Sequence, residues 1–352
     1  MKTTSDSIVK VPGRIENLLI RSANWIGDAV MTTPAVRAVR KNFPDAQISL
    51  LAKPWVAPVF ENNPHIDHVL LYDAKRASET FKMAGMLEQH FFDGAILFQN
   101  AFEAAWVAWL AKIPVRIGYD TDLRKILLSH PVRRSSSMLK LHQIHYYNGI
   151  LEGAGLNSDG MRLELYLSSE DRRSASKILK NCGIGKTDRF VGINPSAVFG
   201  SAKQWFPERF AEVSDRLNEK FGTKTVIFGG PLDKDLGENI LSMMKTEAVN
   251  LSGKTTLNEA MALLALCRLF ITNDSGLMHI AAALNVPQVA IFGSTNFSVT
   301  APWSSMARVV RSRVVCSPCM KRQCVFGHKE CMTSIRVEKV FSVACHLMDE
   351  NF

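Results

Sequence analysis

The sequence predicts an α/β protein built from two doubly wound domains that face each other across a cleft. Three observations lead there. The chain has 352 residues, the length of two ordinary domains. Hydrophobic residues make up 47% and charged residues 21%, a globular balance that excludes wholesale disorder and gives each half material for a core. Short β-rich runs alternate with helical patterns almost throughout, which is the mark of βα units around a parallel sheet. The boundaries that follow are 15–165 for the first domain, 166–334 for the second and 335–352 for a closing helix.

In order, NLLIRSA at Asn17–Ala23 reads as a buried strand, followed by a helix from Thr33 to Asn42. Gln47–Leu51 and His68–Leu71 are strands, Phe81–His90 a helix, Gly94–Phe98 a strand, Ala101–Ala111 a helix and Val115–Gly118 a strand. Asp120–Gly155 is less regular and holds a helical stretch at Gln143–Ala154. A second alternating block then begins. Ser169–Asn181 is a helix opened by a Ser168–Ser169 cap, Phe190–Asn194 a strand, and Pro207–Phe221 a helix with Pro in its first turn. Strands at Thr225–Phe228, Val249–Leu251, Leu269–Asn273 and Gln288–Phe292 alternate with helices at Leu232–Lys245, Leu257–Ala265 and Gly276–Leu284. Ile335–Asp349 closes the chain as a helix. In such sheets ligands sit beyond the carboxyl ends of the strands, and with two domains the cleft between them is the default site.

Met1–Arg14 lacks an apolar core and a small-residue cleavage site, so no signal peptide is expected. The longest apolar stretches, Ala95–Ile113 and Met261–Ile271, are interrupted by Glu103 and Arg268, so no membrane-spanning helix is expected and the cytosol is the predicted compartment. The net charge is +9. Two segments carry the excess: Lys112–Lys140, with Lys112, Arg116, Arg124, Lys125, Arg133, Arg134 and Lys140 against Asp120 and Asp122, and Arg308–Lys339, with eight basic residues against Glu330 and Glu338. No basic block interleaved with aromatics resembles a nucleic-acid module, so anionic substrates or lipid headgroups are the expected partners.

The first strand runs into Arg21-Ser-Ala-Asn24-Trp-Ile-Gly27-Asp28. Gly27 permits a tight turn. Asp28 is open to two readings: a helix N-cap, the commoner task for an Asp there, or a carboxylate presented as a general base. The loop is not G-x-G-x-x-G, which disfavours dinucleotide binding, and Gly183-Ile-Gly185-Lys186-Thr187 has Lys180 where a P-loop needs its first glycine. In the second block, Asn194-Pro-Ser196 to Lys203-Gln-Trp205 follows a strand and precedes a helix; small hydroxylated residues with one Lys suit a diphosphate, and a solvated loop is the plain alternative. Asn273-Asp274-Ser275-Gly276-Leu277-Met278-His279 stands where a strand turns into a helix, so the N–H groups of Ser275, Gly276 and Leu277 would point at an anion; a capping Asp274 and a packed His279 are the alternative. Phe292-Gly293-Ser294-Thr295 repeats the pattern at a neighbouring strand end. Asp120-Thr-Asp122 and Asp233-Lys-Asp235 are too common a pairing to imply a metal. Cys316, Cys319, Cys324 and Cys331 cluster, with His328 among them, in a spacing that is not a standard two-knuckle zinc site; a metal-bound, stapled or reduced surface loop all remain open, and no metal or cofactor is predicted.

Four of these motifs together carry a resemblance. Asn24-Trp-Ile-Gly27-Asp28 with Thr33-Pro34, Lys203-Gln-Trp205-Phe-Pro207, Phe228-Gly-Gly230, and Asn273-Asp274-Ser-Gly276-Leu-Met-His279, in this order from about Asn17 to Met348, resemble the ADP-heptose:lipopolysaccharide heptosyltransferases, the family-9 glycosyltransferases of Gram-negative bacteria. The first loop and the Cys-rich segment are more like the heptosyltransferase II branch than the heptosyltransferase I branch. The resemblance implies a GT-B architecture, with an acceptor-binding Rossmann-like first domain and an ADP-sugar-binding second one. It implies inverting transfer of L-glycero-D-manno-heptose from ADP-heptose to the inner-core heptose of lipopolysaccharide, by a monomer in peripheral contact with the inner face of the inner membrane and with no nucleic-acid partner. Asp28 matches the family's proposed base, which outweighs the cap reading, and Lys203 matches the Lys that neutralises the diphosphate. Ser196, Asp274, Ser275, Gly276, Leu277 and His279 match the donor side, Ser196 standing where Thr is common, and Asp233 lies near the ribose position. Asn24, Arg116, Arg124 and His142 are the expected acceptor contacts. Two alternatives stand beside this reading: another GT-B nucleotide-sugar enzyme, such as a transferase for a different sugar or a 2-epimerase, and a basic membrane-surface or nucleic-acid binding protein that retains the fold without catalysis.

Overall fold

Each half of the chain is organised by a six-stranded parallel sheet whose central strands are apolar on both faces, as expected where helices cover both sides. The computed structural model describes residues 11, 14–73 and 76–350; residues 1–10, which carry most of the leader reading, lie outside them. Two units separate, Met1–Tyr166 and Leu167–Phe352.

The first unit contains β1 (Asn17–Arg21), α1 (Ile26–Met31), α2 (Thr33–Asn42), β2 (Gln47–Ala52), β3 (His68–Leu71), α3 (Ala77–Glu88), β4 (Gly94–Leu97), α4 (Phe102–Leu110), β5 (Val115–Tyr119), β6 (His130–Val132) and α5 (Gln143–Gly153). Its strand order is β3-β2-β1-β4-β5-β6. The central register sets Leu19 beside Ser49 and Ala95, all buried. Pro131 lies in β6, at the sheet edge, where a missing N–H is tolerated.

The second unit contains α6 (Ser169–Asn181), β7 (Phe190–Asn194), α7 (Pro207–Phe221), β8 (Lys224–Ile227), α8 (Lys234–Met243), β9 (Ala248–Asn250), α9 (Leu257–Leu264), β10 (Leu269–Asn273), α10 (Gly276–Ala283), β11 (Gln288–Phe292), α11 (Phe297–Thr300), β12 (Ala307–Arg311), α12 (Glu330–Thr333) and α13 (Val337–Glu350). Its order is β12-β11-β10-β7-β8-β9. Counted within its own unit, each sheet therefore reads 3-2-1-4-5-6, the order of a Rossmann-like doubly wound fold, and the GT-B expectation of two such units holds. The strand order reverses between β1 and β4 in the first sheet and between β7 and β10 in the second. In doubly wound sheets of this order, ligands bind at such switch points.

Local chemistry explains the helices that frame these points. The Ser168 hydroxyl accepts the Asp171 N–H (3.0 Å) while Asp171 accepts the Ser168 N–H (2.9 Å), a reciprocal box worth about 1 kcal/mol at the start of α6. Pro207 opens α7, and Gly222, at φ 65°, ends it in the left-handed region. One face of α7 buries Phe210, Val213 and Leu217 in the core shared with Val191 and Ile193 of β7 and Ile227 of β8, at roughly 1.5–3 kcal/mol for each side chain. Val340, Ala344 and Leu347 of α13 share that core. Trp205 locks this corner, since its indole N–H donates to the Ile335 carbonyl at 2.9 Å.

The elements that the alternation did not reveal are short, the six-residue α1 among them. β6 spans three residues, α11 and α12 four each, and β12 is an edge strand with mixed burial. None is long enough to show a period.

Candidate active site

In the first unit, β1 delivers Arg21 to its carboxyl end, and the chain turns through Ser22–Trp25 into the six-residue α1. Trp25 is the N-cap residue and makes no side-chain cap bond; Asp28 lies inside the first turn, so it is not a cap. Asp28 is half-buried, and its Oδ1 accepts the Tyr147 hydroxyl at 3.0 Å. Burial first, and the Asp28 charge second, push the Tyr147 phenol well above its ordinary range. Tyr147 thus stays a neutral donor that holds one carboxylate oxygen. This partner sits 119 positions away, on α5, and no local pattern announced it.

Beside this loop stands a cationic group that sequence reading missed. Arg21 is buried, its guanidinium carbon lies 4.8 Å from the Tyr72 ring centroid, and burial lowers its pKa to about 10, against the opposing pull of Glu103. Lys53, just past β2, lies 4.6 Å from the same centroid and 5.8 Å from that of Trp55. Burial raises the Glu103 carboxyl, with Arg21 and Lys53 acting against the shift. The signal available was positional: Lys53 follows a strand that neighbours β1. Asn24 holds the loop in place, its Oδ1 accepting from Arg21 (3.1 Å) and its carbonyl from the Trp55 indole (2.9 Å).

Three of the residues expected to meet an acceptor make hydrogen bonds within the first unit. Arg124 is fully buried, and its guanidinium donates to the carbonyls of Tyr119 and Gln99 and to Asn100 Oδ1. Arg116 donates to the carbonyls of Leu127, Ile113 and Pro114. His142 is the N-cap of α5, its Nδ1 accepting the Ile144 N–H at 3.3 Å. A basic residue before an irregular segment looks like a surface cation in sequence, yet irregular backbone needs donors for its unpaired carbonyls, and arginine supplies up to five. Arg124→Ala is therefore expected to destabilise the first unit by roughly 2–4 kcal/mol, because buried carbonyls lose their donors. Denaturant midpoints and acceptor titrations on the folded fraction check this; wild-type stability with a raised acceptor KM would return Arg124 to the acceptor set.

In the second unit, the segment from Pro195 to Trp205 is clamped at both ends by one side chain. Asn273, the last residue of β10, donates from Nδ2 to the Pro195 carbonyl (2.7 Å) and accepts the Trp205 N–H at Oδ1 (3.0 Å). The loop thereby brings Lys203 to the switch point. Lys203 Nζ lies 2.6 Å from Asp274 Oδ2, with side chains 13% and 6% exposed, and the Thr295 hydroxyl donates to the same carboxylate oxygen at 2.7 Å. Asp274 is an ion-pair partner and not a cap. The cap of α10 is Ser275, whose Oγ accepts the Met278 N–H (3.3 Å) and a bond from Asn194 Nδ2 (2.9 Å). Ser275, Gly276 and Leu277, at the start of α10, are half-exposed, while His279 is buried. Ser196 is buried and its N–H donates to Asn194 Oδ1 at 3.3 Å. The structure thus gathers Ser196, Lys203, Asp274, Ser275, Gly276 and Leu277 around the ends of β7 and β10, and adds Thr295 from beyond β11. Asp233 stands apart from that ion pair's bonds, accepting the Gly230 N–H at 2.7 Å, and Asp120 accepts the Arg134 N–H at 3.1 Å. All seven cysteines are free thiols. Among the described residues no three His, Cys, Asp or Glu side chains form a metal-ligand set.

The model of glycosyltransferase family 9 (heptosyltransferase) matches residues 80–330, most of the chain and both units. The chain belongs to glycosyltransferase family 9. As a family-9 glycosyltransferase it is an enzyme, and its relatives agree. It is 31% identical over 336 residues to lipooligosaccharide heptosyltransferase 2 of Campylobacter jejuni subsp. jejuni serotype O:2, covering 94% of this chain and 98% of that one. It is 29% identical to lipopolysaccharide heptosyltransferase 2 of Escherichia coli K12, covering 92% and 96%. The solved structure of E. coli ADP-heptose lps heptosyltransferase II superposes with a TM-score of 0.81 at 27% identity, covering 95% and 99%. The resemblance drawn from four short motifs and the comparison of whole chains reach the same family.

Proposed function

We propose that this enzyme transfers L-glycero-D-manno-heptose from ADP-heptose to the inner-core heptose of lipopolysaccharide, with inversion at the anomeric carbon. The observation that carries the reading is the buried Lys203–Asp274 pair beside the open first turn of α10, at the switch point of the second sheet. A diphosphate there meets backbone amides, the Ser275 hydroxyl and a lysine, so charge that grows on the departing ADP is stabilised by groups already in place. Asp28, at the switch point of the first sheet, takes the proton of the acceptor hydroxyl as that oxygen attacks the face opposite ADP. Tyr147 holds one of its oxygens and so fixes the orientation of the carboxylate. Inversion in one displacement needs no covalent intermediate.

The acceptor is anionic, and Lys53 and Asn24 are its contacts on the Asp28 side, in place of Arg124. Contact with the inner membrane fits the turn that follows β5, where Leu123 and Ile126 are 85% and 83% exposed and flank Lys125. Apolar side chains beside a cation suit an anionic leaflet. Among the described residues no helix is long and apolar enough to cross a membrane. The working form is a monomer.

Mass spectrometry of the products from ADP-heptose and inner-core acceptors of defined length tests the reading. One added heptose on the heptosyl acceptor is expected, together with thermal stabilisation by ADP and ADP-heptose. Stabilisation by UDP-sugars but not by ADP-sugars, with no heptose added, would sink it in favour of another nucleotide-sugar enzyme.

A further inference from the structure

The Cys-rich segment between β12 and α12 lies against the loops that frame the donor site. The Ser317 hydroxyl donates to the Gly293 carbonyl (2.7 Å) and the Met320 N–H to the Ser294 carbonyl (2.8 Å), which fixes the segment to the turn after β11. On its other side the Ala202 N–H donates to the Arg322 carbonyl at 3.0 Å. Gly200 approaches so closely that a Cβ there would overlap that carbonyl. The backbone of Arg322 is thus part of the wall of the Lys203 turn. Its side chain is exposed, and its guanidinium carbon lies 5.5 Å from the centroid of Phe199, the ring that also has Lys203 Nζ 4.9 Å from its centroid. Two cations therefore flank one aromatic ring.

Their charge states differ in what they offer a ligand. Lys203 is 2.6 Å from a carboxylate, so the pair is neutral as a unit before any nucleotide arrives. Asp274 offsets part of the Lys203 charge that a diphosphate would meet, so a second cation would add to what the lysine and the amides supply. Among the described residues no carboxylate pairs with Arg322, and the segment around it, Arg308–Lys339, is strongly basic. We propose that Arg322 is a second, uncompensated cation of the donor site, binding the diphosphate of the nucleotide sugar through its guanidinium while its backbone shapes the Lys203 turn. The fork of donors matches phosphate oxygens, and the Phe199 face pre-orients it.

This rests on the donor reading above, and the experiment separates the two. Arg322→Gln and Arg322→Lys are compared with the unchanged full chain by calorimetric titration with ADP and, separately, with adenosine. Arg322→Gln is expected to weaken ADP binding about tenfold or more, the effect of losing a charge-assisted phosphate contact. Adenosine affinity and the nucleotide-free melting temperature stay unchanged, because the wall of the turn is made by the backbone. Arg322→Lys recovers part of the loss, as a point charge without the fork. ADP affinity of Arg322→Gln within about twofold of the unchanged protein, or an equal loss for adenosine and ADP, would overturn the assignment. If the unchanged protein binds adenosine and ADP alike, the donor reading itself fails, whatever the variants do.

Discussion

Replacing Asp28 with asparagine is expected to lower heptose transfer by roughly a hundred- to ten-thousand-fold and to leave ADP binding near its original strength. The reasoning is one of function separated from fold. The asparagine carbonyl can still accept the Tyr147 hydroxyl, which otherwise would be left buried without its acceptor. The amide cannot take a proton from the attacking hydroxyl, so only the chemical step suffers. Asp28→Ala removes the base as well, but it also strands Tyr147 and should cost about 1–3 kcal/mol of stability. Steady-state transfer rates, calorimetric ADP titrations and melting curves for both variants decide the matter. Transfer by Asp28→Asn close to the original rate would show that this carboxylate is not the base.

Lys203→Ala should be the most damaging change to the second unit. It leaves Asp274, only 6% exposed, with the Thr295 hydroxyl still donating to it but without its cation, and breaking a buried pair from one side costs about 3–5 kcal/mol. Weaker ADP binding is expected too, but on its own it would not distinguish a lost phosphate contact from a disordered loop. The double change Lys203→Met with Asp274→Asn removes both charges and keeps the volume filled. It is expected to regain most of the stability while ADP affinity stays low. Wild-type ADP affinity in that double variant would reduce Lys203 to a structural role.

How much of this was legible beforehand depended on the range over which each signal acts. β7, β10 and β11 fell where their apolar runs place them, because strands buried on both faces are continuous in sequence. Gly276 and Ser275 were readable because a helix start is a local event. Asp28 was ambiguous from its neighbours alone, since its decisive contact, Tyr147, arrives from another helix. Thr295 was recognised as part of a pattern, but its bond to Asp274 depends on β10 and β11 lying side by side. The burial of Arg124 was not legible because charge in a sequence carries no information about burial; the carbonyls it donates to come from the end of β5 and from the loop after β4. Lys53 lacked any motif and became visible only once the strand order set β2 beside β1.

The repeated strand order has a wider meaning for how such an enzyme changes over time. On the function proposed above, each half places its chemistry in the turns that leave one end of its strands, while its scaffold is stabilised by helices and layers that those turns do not build. On that reading a lineage can rewrite the turns of one half, altering which sugar chain is extended, while the half proposed to hold the nucleotide keeps its inherited form. Selectivity for the recipient and for the activated sugar are separable traits, open to exchange one at a time.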